Sequence, residues 1–203
     1  MLRLAQRADD PVRSVIAHNA LGVTWFWLGV LPAARQHVEA GIALYTPAQR
    51  HALEFRTGHD PGVICRIYAA LALWLLGYPH QALARLHEAL ALAHELAHPF
   101  TLAYAQSMAA FIGQLRRDVS AVREQAEAAV ATEQGFPLWV ALGTSCRGWA
   151  LFMQGQREEG LAQVRQGIAS EHATGAALAF PGFYALLAEI MTIWATRKTP
   201  SRR

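Results

Sequence analysis

Residues 61–98 read PGVICRIYAALALWLLGYPHQALARLHEALALAHELAH, and the punctuation of this stretch decides the fold. Pro61 follows Asp60, a pairing that suits a helix start. The aspartate can cap the first turn, while proline at the first helical position gives up no needed N–H and has its φ already set. The apolar run that follows is long enough for a helix of about four turns. It stops at Leu75-Leu76-Gly77-Tyr78-Pro79, where glycine suits a left-handed helix end. A second helical pattern then runs to His98, just before the next proline, Pro99. The stretch is a helix, a short break and another helix.

The same punctuation recurs along the chain. Pro11, Pro61, Pro99, Pro137 and Pro181 each open an apolar stretch, and Asp10 precedes Pro11 as Asp60 precedes Pro61. The first four stretches end in breaks at Gly29, Gly77, Arg117 and Gly155. Arg117, in Leu115-Arg116-Arg117-Asp118, must take the glycine turn with some strain or use another geometry. Small residues keep fixed distances from the breaks, as two closely packed helices require. Seven residues before them stand Gly22, Ala70, Ala110 and Gly148; five after, Ala34, Ala82, Val122 and Gly160; twelve after, Gly41, Ala89, Ala129 and Gly167. An apolar residue lies nine after each: Val38, Leu86, Ala126 and Val164.

These offsets resemble the small-residue pattern of the tetratricopeptide repeat, with Leu21-Gly22 and Leu28-Gly29 fitting especially well. The likeness covers roughly Pro11 to Gly175. It implies an all-α fold, a helical-hairpin solenoid wound as a right-handed superhelix of about nine to ten helices. The breaks are 48, 40 and 38 residues apart, longer than the family's usual period of about 34. One domain over 1–196 is expected, with units at about 11–46, 61–98, 99–136 and 137–175, a partial unit at 181–196, an insertion at 46–60 and a basic tail at 197–203. At finer grain, His59-Asp60-Pro61-Gly62, the Gly77 turn, His98-Pro99-Phe100 and Gly135-Phe136-Pro137-Leu138-Trp139 are similar to the C-terminal repeat region of bacterial multidomain ATPases, many of which carry an adenylate or guanylate cyclase domain. That resemblance implies a fragment of a larger signalling protein whose repeats serve regulation and partner contact. Neither a GxxxxGK[ST] phosphate loop nor paired aspartates in a strand context for cyclisation is present.

Both ends fit the expectation of a fragment. Residues 2–11 align with residues 90–99, keeping Leu, Leu, Ala and Pro in place, so the chain is expected to open inside the second helix of a missing unit. The last helix carries Phe180, Phe183, Leu186, Leu187, Ile190 and Trp194, which is too apolar for a good outer face. Truncation, burial against another chain, or self-association through this unpaired helix would account for it.

Composition bounds the function classes. Hydrophobic residues make up 53% of the chain and charged residues only 16%, which suits long helices with a continuous core and not a disordered segment. Of the net charge of +3, the four basic residues at 197, 198, 202 and 203 contribute +4, so the rest of the chain is slightly acidic. Without a basic stripe carrying interleaved aromatics, nucleic acid is not the expected partner. The longest apolar runs, such as 67–76, fall short of the roughly 20 residues that cross a bilayer. The start, MLRLAQRADDP, lacks the apolar core of a signal peptide. Cys65 and Cys146 stand far apart in apolar stretches, as small buried hydrophobes do in a reducing compartment. A cytoplasmic protein is expected.

One string carries sharp chemistry. His94-Glu95-Leu96-Ala97-His98 is a literal HExxH, in which two histidines one helical turn apart hold Zn2+ and the glutamate activates water. Its context argues against that use, because Pro99 pushes His98 away from helical angles. Glu124 or Glu127 could supply a third ligand by spacing, but both fall on the second helix of the next repeat, where solvated carboxylates are expected. His80 and His87 share a helix with His94 and read as a solvated flank. Ser145-Cys146-Arg147-Gly148 lacks the strand-to-helix elbow of a nucleophile motif. The expectation is therefore no catalysis, no cofactor and no metal, with His94 and His98 as remote metal candidates. What remains is a groove lined by first helices, to which Phe26, Trp74, Tyr104, Phe111, Trp149 and Phe152 are assigned as anchors for a protein or peptide segment, including domains of the parent protein. The ordinary reading is that most of these aromatics pack between adjacent helices as core. A small-ligand-sensing solenoid is the alternative.

Overall fold

The computed structural model describes residues 10–131, 136–176 and 180–198. Proline-opened stretches and the stretches after the breaks become paired helices: α1 (Pro11–Trp27) with α2 (Leu31–Leu44), then a short α3 (Arg50–Thr57), α4 (Pro61–Leu75) with α5 (Pro79–Leu96), α6 (Pro99–Leu115) with α7 (Val119–Ala131), α8 (Pro137–Met153) with α9 (Arg157–Thr174), and α10 (Phe180–Lys198). The fold is an all-α helical repeat, with no strand among the described residues. The likeness of residues 2–11 to 90–99, and most of the basic tail, lie outside the described residues.

The four breaks are one turn used four times. Gly29, Gly77, Arg117 and Gly155 all take positive φ, at 77°, 85°, 60° and 98°. Each donates its N–H to the carbonyl three residues back: Gly29 to Phe26, Gly77 to Trp74, Arg117 to Gln114 and Gly155 to Phe152, at 2.9–3.1 Å. The following residue donates to the carbonyl five residues back: Val30 to Trp25, Tyr78 to Leu73, Asp118 to Gly113 and Gln156 to Leu151, at 2.9–3.0 Å. These are paired Schellman bonds, which satisfy carbonyls that the helix end would otherwise orphan. That second residue also begins the next helix, because its own carbonyl accepts from Ala34, Ala82, Val122 and Gly160 respectively. Arg117 thus takes the glycine turn, at a steric cost of about 1 kcal/mol. Asp118 offsets part of it by capping α7 through a 3.1 Å bond from the Ala121 N–H to Oδ1. Asp10 and Asp60 cap α1 and α4 as their position before proline predicts, accepting from Arg13 N at 3.0 Å and Val63 N at 2.9 Å.

The small residues are where helix backbones meet. A Cβ on Gly148 would lie 2.7 Å from the Gly160 carbonyl oxygen, and one on Gly160 would lie 2.5 Å from that of Gly148. A side chain on Gly22 would collide with Val38, and one on Gly167 with the Ser145 hydroxyl. The chain divides into two compact units between Ala105 and Gln106, inside α6 and not at a repeat boundary. In the first unit α1, α2, α3 and α5 all pack on α4, where every residue from Pro61 to Leu73 except Arg66 is buried. The insertion is ordered: Gln49 accepts from the Thr46 N–H at 2.9 Å, and α3 buries Leu53 completely. In the second unit α8 packs against α7 and α9, and α10 rests on α8 and α9. Phe183, Leu186 and Ile190 of α10 are buried there. Half of the apolar residues that the sequence reading left without a partner are therefore used within the unit. Tyr184 and Met191 remain on the exposed side.

Candidate functional site

The six aromatics assigned to a groove separate into two groups. Tyr104, Trp149 and Phe152 are core: Trp149 is wholly buried, Phe152 is 2% exposed and Tyr104 is 7% exposed. Phe152 stacks obliquely on Trp194 with ring centroids 6.0 Å apart, and the Tyr104 and Tyr68 hydroxyls share a hydrogen bond. These three are corrected from groove anchors to packing residues, because a helix that is apolar on most of its circumference has more than one buried side. Phe26, Trp74 and Phe111 are half-buried. Phe26 meets Tyr68 edge to face at 5.1 Å, and Phe111 lies against Gly182 of α10.

Around the HExxH string, the geometry gives each residue another task. Helix α5 ends in the left-handed Ala97, at φ 49°, so His94 stands exposed in its last turn while His98 lies beyond it. The His98 carbonyl accepts from Leu102 N at 2.9 Å, which makes His98 the cap of α6. Its Nδ1 accepts the Thr101 N–H at 3.3 Å and lies 3.0 Å from the Thr101 hydroxyl. An accepting Nδ1 places the ring proton on Nε2, which faces Glu54 at 3.5 Å. Glu95 reaches sideways to Arg50 at 2.6 Å, and that bond holds its carboxyl below the usual range. Glu127 pairs with Arg123 at 2.8 Å, and Glu124, His80 and His87 are exposed.

The Thr101, His98 and Glu54 line has the order of a hydroxyl, imidazole and carboxylate triad. It is built as a joint instead. Thr101 is fully buried, and its oxygen accepts the Asp60 N–H at 3.1 Å. Asp60 takes the Tyr45 hydroxyl at 2.8 Å on its other oxygen. Burial and this neighbouring carboxylate push the Tyr45 phenol up. One chain of bonds therefore ties the end of α2, the start of α4 and the start of α6. Ser145 is likewise buried in mid-helix. Both cysteines are buried, which pushes each thiol up to about 12 and leaves it inert toward electrophiles.

What the sequence reading missed is a set of exposed apolar side chains at two equivalent turns of the first unit. Trp27, Leu28 and Val30 surround the Gly29 break, and Leu75 and Tyr78 surround the Gly77 break, each 42–65% exposed. Two of them are held in place: the Trp27 indole N–H donates to Tyr68 of α4 at 3.0 Å, and the Arg35 guanidinium lies 5.3 Å over the Tyr78 ring. The signal was present in the sequence, because a turn of two residues normally carries polar side chains. No protein-family model and no curated protein matches the chain. No helix among the described residues is long and apolar enough to cross a membrane.

Proposed function

We propose that the chain is a non-catalytic, cytoplasmic repeat module of the tetratricopeptide kind that binds a protein segment and regulates a larger signalling assembly. The observation that carries this reading is the apolar set at the Gly29 and Gly77 turns, where Leu28 is 65% and Leu75 54% exposed. Within this set Trp27, fixed by its hydrogen bond, and Tyr78, fixed by a cation–π contact, have little entropy left to lose on binding, and Trp and Tyr are common interface anchors. The resemblance to the repeats of ATPase and cyclase proteins supports a domain of the parent protein as the partner.

The test is a photo-crosslinking residue placed at Leu28 or at Leu75 in living cells, with a control at the exposed Glu124. The reading expects one adduct of the same partner from both turn positions, lost from the Leu28 probe when Leu75→Glu is added. No adduct from either turn, or the same adduct from the control, would sink it.

A further inference from the structure

His18 on α1 and His37 on α2 face each other across the first hairpin, Nδ1 to Nδ1, at 3.1 Å. Their ring centroids are 5.2 Å apart. Gly41 stands one helical turn after His37, and a Cβ there would lie 3.5 Å from the His18 Cβ and 2.8 Å from the Cys65 sulfur. Both residues are half-buried.

Two imidazole nitrogens at this distance can be occupied in three ways. A neutral pair shares one proton, one ring donating and the other accepting. A doubly protonated pair turns two N–H groups on each other and separates. In the third arrangement both protons sit on Nε2 and both Nδ1 lone pairs are bare, a state that a cation between them stabilises. Nitrogens each 2.0–2.1 Å from one Zn2+ stand about 3.3 Å apart at the tetrahedral angle and about 2.9 Å apart at a right angle. The observed 3.1 Å falls between these values.

We propose that His18 and His37 are the two protein ligands of an open site for a borderline divalent transition ion such as Zn2+ or Cu2+, with water completing the coordination. Imidazole suits these ions, whereas Mg2+ and Ca2+ want oxygen. Cys65 approaches from α4 but is already bonded to the Asn19 amide at 3.6 Å and stays a thiol. Among the described residues no third His, Cys, Asp or Glu joins the pair in a metal-binding group. The site is therefore exchangeable, unlike a closed structural zinc centre.

The experiment titrates Zn2+, then Cu2+, into the purified chain against a competing chelator, for wild type, His18→Ala, His37→Ala and the surface control His80→Ala. Wild type and control should each bind one equivalent. Either pair variant should weaken binding roughly tenfold or more, because a single imidazole holds such ions poorly. In wild type, 15N spectra of the histidine rings should show the Nδ1 signals of His18 and His37, and no others, moving on metal addition. Affinity unchanged by both pair variants, or ring shifts spread over the surface histidines, would overturn the proposal, and the wild-type spectra decide even where a variant does not fold.

Discussion

Glu171 shows how far a single residue can depart from what its neighbours in sequence suggest. It lies in the last turns of α9, where the helix dipole already disfavours negative charge. It is wholly buried, and neither carboxylate oxygen has a hydrogen-bond partner among the described residues. Its chain neighbour His172 is engaged with Tyr184 of α10. Burial raises its pKa from the ordinary 4.5 to about 7. A raised folded pKa means the unfolded state releases the proton first. The burial penalty is absent below about pH 4.5, grows as pH rises, and is complete above about pH 7. The full shift corresponds to about 3 kcal/mol, part of which a buried glutamine amide, also left without partners, gives back. Glu171→Gln should therefore raise stability at pH 8 by about 1–2 kcal/mol and change it little at pH 4, as read by urea denaturation at both values. Equal effects at both pH values would refute it. The sequence carries this burial only through the repeat register: Gly160, Val164 and Gly167 mark the inner face of α9, and Glu171, one helical turn after Gly167, falls on that same face.

At the scale of elements, the repeat was legible because turns and close approaches are local and steric. A break, a proline and a small residue at a fixed offset each record one backbone constraint. Two glycines of this pattern do different work and should fail differently. Gly29 sits at φ 77° with nothing within 4 Å of a built Cβ, so Gly29→Ala meets only the left-handed backbone cost, about 1 kcal/mol. Gly160 has helical backbone, but its Cβ would press on the Gly148 carbonyl oxygen at 2.5 Å and on Phe152 N at 2.6 Å. Backbone cannot rotate away as a side chain can, so Gly160→Ala must part α8 from α9 and should cost about 2–3 kcal/mol. Thermal melts of the two variants should rank them in that order, and equal losses would mean that the hairpin is looser than its contacts indicate. The short α3 escaped the sequence reading for the opposite reason. Its eight residues bury only Leu53, and one apolar contact makes no period.

For the whole molecule, the chain forms two compact units that divide within α6, each built from hairpins of the run that the repeat spacing describes. Spacing along a chain counts hairpins, but it cannot show where contacts thin out, since that depends on side chains far apart in sequence. The Asp60 joint gives a way to observe the division. It belongs wholly to the first unit, and its bonds to Tyr45, Val63 and Thr101 are all buried or half-buried. Asp60→Ala removes a helix cap and leaves the Tyr45 hydroxyl without its acceptor, a loss of about 2–3 kcal/mol. In a repeat array, strain is shared mainly with nearest neighbours. Hydrogen exchange of the variant should therefore speed up in α3, α4 and α5 while amides of α8 and α9, whose core is built on Trp149, Phe183 and Ile190, keep their wild-type protection. If protection fell by the same factor in both sets, the chain would unfold as one cooperative body and the division inside α6 would have no energetic meaning. If it fell only in the first, a partner docking at the Gly29 and Gly77 turns could stabilise that unit without altering the second.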